Sequence, residues 1–76
     1  MIRIRLTQML DDKGFYEKRK IPFKEVAEKT GLSQPTLSRI SNIPGYNTNT
    51  DTINALCKYF ECSPGKLLEF YPDEPG

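Results

Sequence analysis

The chain contains no histidine. It therefore lacks the side chain most often used for proton transfer near neutral pH and for holding transition metals. It has only two cysteines, Cys57 and Cys62, five positions apart with no second pair elsewhere. That is too few for a structural zinc site, and no metal or other cofactor is expected. With no secretory leader in view, the two read as reduced, packed thiols rather than a disulfide. There is no glycine-rich phosphate loop and no plausible nucleophile–base pair, and the carboxylates are scattered over expected helix surfaces, so an enzyme is not expected. No segment approaches the roughly 20 consecutive apolar residues needed to cross a bilayer. The opening Met1–Leu6 stretch is too short and too alternating for a signal peptide, which makes a cytoplasmic location the default expectation. A strong charge of either sign is also missing, since eleven Lys/Arg face ten Asp/Glu and leave +1.

What remains is an ordinary globular composition, 37% hydrophobic and 28% charged over 76 residues. That length suits one domain, spanning 1–76. At this size a chain buries only about 60% of its extended surface, so a packed helical domain is feasible and a large enclosed active site is not. The small net charge hides an asymmetry. Residues 1–50 hold nine Lys/Arg against five Asp/Glu, whereas residues 51–76 hold two against five. A basic front and an acidic rear can present a local positive face, although scattered solvated charge reads equally well.

Along the chain, Ile2, Ile4 and Leu6 alternate with Arg3 and Arg5 in the period of a short strand. Leu6 to Arg19 then reads as a helix with Leu6, Met9 and Leu10 on its apolar side, weakened or ended at Gly14. Pro22 opens a second helix, Phe23 to Thr30, with Val26 and Ala27 inward and Gly31 as its stop. Ser33 is a cap candidate and Pro35 is tolerated in the first turn of a third helix reaching Ser41 or Asn42. A polar loop, Ile43 to Asn49, leads to a fourth helix capped by Thr50 or Asp51 and carrying Ile53, Leu56, Cys57 and Phe60. Ser63-Pro64 opens a short fifth helix through Leu67 and Leu68, and residues 72–76 form a tail. The N-terminal strand needs a partner, and Leu68–Tyr71 is the available candidate, within one chain or between two.

The informative stretch is Phe23 to Ile40, FKEVAEKTGLSQPTLSRI. Two short helices are separated by a few residues around Gly31. Ala27 is small where the helices cross, Gly31 permits a positive φ, and Leu32 fills the gap between them. Val26, Leu37 and Ile40 seal the pair onto a core. Such a pair crosses steeply and leaves its second helix protruding. At these residues the chain resembles the Cro/phage-repressor helix-turn-helix family, also called XRE-type. LTQMLDDKG is similar to that family's first helix and TINALCKYFECSPGKLLEF to its last two, so the resemblance covers roughly residues 6–70. It implies an all-α, five-helix lambda-repressor-like domain with its helix-turn-helix motif at about 23–41. It also implies sequence-specific binding of double-stranded DNA with the third helix in the major groove, and a role as a transcriptional regulator, repressor rather than activator. The chain departs from the family after the third helix, where many members have a short Glu-Asn-Gly turn and this one has a longer polar loop.

Helical geometry sorts the third helix. At about 100° per residue, Leu37 and Ile40 mark the buried side; Pro35, Ser38, Arg39 and Asn42 project outward, with Gln34 on the flank and Thr36 nearer the interior edge. Gln34 can pair with adenine and Arg39 with guanine, or Arg39 can neutralise a phosphate. Ser38 can donate or accept, and Pro35 offers only an apolar contact. The family resemblance places Gln34, Pro35, Thr36, Ser38 and Arg39 in the base-reading segment. For the DNA backbone the candidates are Lys24 at the start of the second helix, Asn42, and Tyr46, Asn47, Thr48 and Asn49 in the loop. The bland reading of the loop is a connector that caps the fourth helix. Lys18, Arg19 and Lys20 could add electrostatic attraction. A homodimer through the N-terminal strand and C-terminal segment would set two reading helices about 34 Å apart. The low net charge predicts modest affinity for a single chain. The competing function is a helix-turn-helix scaffold used as a protein-interaction module or antitoxin, since fold does not fix function. No small-molecule substrate is expected, and there is no room within these residues for a sensor domain.

Overall fold

The computed structural model describes residues 1–72, so apart from Pro72 the expected tail lies outside the described residues. The elements run β1 (Ile2–Ile4), α1 (Leu6–Glu17), α2 (Phe23–Thr30), α3 (Gln34–Asn42), α4 (Thr50–Phe60), α5 (Pro64–Leu67) and β2 (Leu68–Phe70). The fold is thus an all-α helix-turn-helix arrangement of five helices with short terminal strands.

Every helix contributes to the apolar centre. Leu6 and Leu10 come from α1, Val26 from α2, Leu37 and Ile40 from α3, Leu56 from α4 and Leu67 from α5, with Ile21 joining from the α1–α2 connection. Each such side chain, fully buried, stabilises the fold by about 1.5–3 kcal/mol, which is what holds helices as short as the four-residue α5 in place. Ala27, Leu32, Met9, Ile53, Cys57 and Phe60 pack around this centre partly buried.

Gly14 does not end α1; the helix continues to Glu17. The reason lies five residues on. Lys18 adopts a left-handed conformation (φ 56°), and the chain folds back so that Arg19 N–H donates to the Gly14 carbonyl at 3.0 Å and Lys18 N–H to Phe15 at 3.3 Å. This is a Schellman closure. A Cβ on Gly14 would stand 2.6 Å from the Arg19 carbonyl oxygen, so glycine is needed for close approach rather than for flexibility.

β1 and β2 pair antiparallel within the chain, with Ile2 opposite Phe70, Arg3 opposite Glu69 and Ile4 opposite Leu68. The ladder extends at both ends, through Tyr71 N–H to the Met1 carbonyl and Arg5 N–H to the Leu67 carbonyl, both 2.8 Å. Ile4 and Leu68 pack on the core, while Ile2 and Phe70 on the same face overhang it and stay exposed. On the opposite face the arginines have partners: the Arg3 guanidinium sits 5.3 Å above the Tyr71 ring, and Arg5 Nε donates to Gln8 at 3.0 Å with Glu69 at 3.8 Å. Leu68 belongs to β2, so α5 stops at Leu67.

Candidate nucleic-acid interface

The turn between α2 and α3 is made by one backbone and two side-chain devices. Gly31 takes φ 80°, and its N–H closes on the Ala27 carbonyl at 2.9 Å. Nothing lies within 4 Å of where a Cβ would be, so the requirement for glycine there is purely conformational. Thr30 Oγ1 donates to the Val26 carbonyl (2.7 Å) and accepts from Leu32 N–H (3.2 Å). Ser33 Oγ then accepts from Thr36 N–H at 3.2 Å and donates to Thr36 Oγ1 at 2.8 Å, capping α3 with Pro35 in its first turn. The bracing by Thr30 was not anticipated from sequence; a hydroxyl residue directly before the left-handed glycine is the signal that could have revealed it.

With Leu37 and Ile40 buried, α3 turns Gln34, Pro35, Arg39 and Asn42 to solvent, and Ser38 lies partly exposed between them. Asn42 Nδ2 donates to Ser38 Oγ at 3.1 Å, one turn earlier on the same face. Thr36 is partly buried and its hydroxyl is engaged with Ser33, as its expected position near the interior edge implies. Arg39 makes no ion pair among the described residues. That contrasts with Arg19, whose guanidinium is forked onto both Glu25 oxygens at 2.9 and 2.7 Å and also reaches Glu17 at 2.7 Å. Arg19 holds Glu25 below the usual carboxylate range; Glu17 is lowered first by Lys13, 2.8 Å away, and then by Arg19. The positive charge of the Lys18–Lys20 run is thus partly neutralised within the fold.

Lys24 is exposed in the first turn of α2, where the leading N–H groups have no intrahelical acceptor. The loop after α3 begins with a tight turn. Tyr46 N–H donates to the Ile43 carbonyl at 3.1 Å across Pro44 and Gly45, and Gly45 has φ 71°, the third-position conformation of a type II turn. Tyr46 packs against the core partly buried, Thr48 is partly buried, and Asn47 is exposed. Asn49 caps α4: its Oδ1 accepts from Thr52 N–H at 2.9 Å. The expected caps, Thr50 and Asp51, are already inside the helix, and Asn49 wins because it alone of the three retains an extended backbone (φ −119°, ψ 171°).

The profile of the Cro/C1-type HTH DNA-binding domain matches residues 5–73. The chain belongs to that family. A relative described as the uncharacterized HTH-type transcriptional regulator YozG of Bacillus subtilis (strain 168) is 37% identical over 57 residues, covering 75% of this chain and 68% of that protein. No solved structure gives a significant match. Within this Cro/C1-type domain, the candidate residues fall into two groups. Gln34, Pro35, Ser38, Arg39 and Asn42 share the outer side of α3, with Thr36 at its edge. Lys24 lies on α2, and Tyr46, Asn47, Thr48 and Asn49 lie in the loop that leaves α3, with Asn49 and Tyr46 partly committed to the fold itself.

No helix of the described residues is long and apolar enough to cross a membrane, and no group of three or more Cys, Asp or Glu among them is arranged to hold a metal ion.

Proposed function

We propose that residues 1–76 form one cytoplasmic DNA-binding unit that recognises a specific double-stranded sequence with α3 in the major groove and represses transcription. The observation that carries this reading is the outer side of α3, where Arg39 has no acidic partner among the described residues and Gln34 and Ser38 stand within two turns of it on a helix pinned by its cap and by Leu37 and Ile40. Gln34, Ser38 and Arg39 read base edges, Pro35 makes an apolar contact, and Thr36 contributes at the edge. Lys24, Asn42 and the 46–49 loop contact phosphates on either side of the reading helix. The molecule acts as a homodimer through its chain ends, whose exposed Ile2 and Phe70 lie side by side on the overhanging face of the sheet.

The test is selection of bound duplexes from a random pool, followed by titration of the winning sequence at several salt concentrations. Affinity should fall steeply with salt as phosphate contacts are lost. Arg39→Ala should weaken the selected site roughly ten- to hundredfold and relax preference at one base position. Folded protein that binds no duplex at low salt would sink the reading. The near-zero net charge favours a second one, a helix-turn-helix scaffold that serves as a protein-interaction module or antitoxin; that is the outcome if DNA binding fails.

A further inference from the structure

The end of α4 is closed by a second Schellman turn, and it joins the chain's two cysteines. Glu61 takes φ 52°, its N–H donates to the Lys58 carbonyl at 3.3 Å, and Cys62 N–H donates to the Cys57 carbonyl at 3.0 Å. That last bond limits the separation of the two residues. Adding one N–Cα bond and one Cα-to-oxygen span to it puts the two Cα atoms no more than about 7 Å apart, the limit that a disulfide tolerates. Both thiols are free, both are half-buried at the edge of the core, and both line one open groove with Lys58, Glu61, Ser63 and Lys66. They also lie within reach of each other. Burial, chiefly, and then the Cys57 thiol push the Cys62 thiol up, while Lys66 pulls it down. Neither cysteine belongs to the α3 surface or to the loop after it.

We propose that Cys57 and Cys62 form a dithiol modification site that a two-electron oxidant of the hydroperoxide class converts to an intramolecular disulfide, stapling the α4–α5 turn in its present geometry. The Cys57 thiolate attacks the peroxide, the O–O bond breaks, and Cys57 becomes a sulfenic acid as hydroxide departs and is protonated to water. Cys62, as thiolate, then attacks the Cys57 sulfur; the S–O bond breaks, the disulfide forms and a second water leaves. Two thiol hydrogens and one peroxide are thereby converted to two waters and one S–S bond. Burial disfavours the Cys62 thiolate, which slows it as the first nucleophile and leaves it the resolving role, beside Cys57 across the turn.

The experiment treats the full chain with a small excess of hydrogen peroxide and follows intact mass, migration without reductant, and melting temperature. Expected are a loss of about 2 Da with no disulfide-linked dimer, a Tm higher by roughly 5–15 °C, and full reversal by dithiothreitol. In Cys62→Ser, a sulfenic acid on Cys57 should accumulate and be trapped by dimedone, with far less trapping in Cys57→Ser. Gain of oxygen mass without the 2 Da loss, disulfide formation only between chains, or a lowered Tm in the oxidised protein would each overturn the proposal. The oxidation of the unaltered chain decides the matter even if a serine variant folds poorly.

Discussion

Two turns bracket α2, and both depend on a residue in the left-handed region, yet they are built to opposite ends. The α1–α2 turn uses Lys18, lies directly over Gly14, and is tied down by Arg19 gripping Glu17 and Glu25. Ile21 then buries itself in the core before α2 begins. The α2–α3 turn uses Gly31 over empty space, is braced by Thr30 and Ser33, and hands the chain to a helix whose arginine has no acidic partner among the described residues. One turn consumes charge to fix α2 in place; the other leaves charge available on α3. Counting lysines and arginines along the chain treats the two as equivalent, and the structure does not.

Variants on the two sides test that contrast. The largest effect belongs to Gly14→Ala, which pushes a Cβ into the Arg19 carbonyl and should cost about 2–3 kcal/mol in urea melts, with the affinity of the remaining folded protein for DNA unchanged. Next, Arg39→Gln should lower DNA affinity roughly ten- to hundredfold at unchanged Tm, whereas Arg19→Gln should leave affinity within about twofold. Equal losses from both arginines would show that the α1–α2 turn also faces DNA, and the contrast would collapse. Gly31→Ala should cost about 1 kcal/mol, from the left-handed backbone alone. Its mirror image, Lys18→Gly, should be a mild gain of about 0.5 kcal/mol, because relief of the same strain is partly offset by a more flexible unfolded chain.

The smallest effect is a slope against pH. Glu17 and Glu25 have lowered values in the folded state, so their contribution is present above the ordinary glutamate range and is lost as pH falls through the lowered values. Stability should therefore decline on acidification below about pH 4.3, and Arg19→Gln should flatten that decline. An unchanged slope in Arg19→Gln would mean that the Arg19 ion pairs to Glu17 and Glu25 contribute nothing in solution.

The same contrast explains what could be read in advance. The bounds of α2 and α3 were legible because their signals are local: Pro22 before α2, Gly31 after it, and Ser33 with Pro35 at the start of α3. The strand pairing was legible because Ile2 and Ile4 alternate and only one other segment could answer them. Gly14 misled because its reason is the Arg19 carbonyl, a contact that exists only after the chain has folded back. Arg19 looked like available charge for the same reason, since Glu25 lies six residues away beyond a turn. Asn49 lies in the loop whose bland reading is a connector that caps α4, but Thr50 and Asp51 come directly after it and are also good cap formers, so composition alone cannot choose among three neighbours. On the candidate surface, the outward and inward sides of α3 followed from periodicity, whereas the Asn42–Ser38 and Ser33–Thr36 bonds depend on side-chain rotamers that periodicity does not specify.

The β1–β2 pairing has a consequence for how the molecule is made. β1 emerges from the ribosome more than sixty residues before β2, so its hydrogen-bonding edge must wait, unpaired, for all five helices to be synthesised. A nascent chain can assemble α1 to α4 and still lack its last closure, with Ile4 uncovered by Leu68 and α1 not yet clipped to Leu67 through Arg5. Chains cut short before Leu68 would keep the helix-turn-helix motif and lose the clasp. The sheet, peripheral by size, is thus the step that closes the fold after the helices are in place.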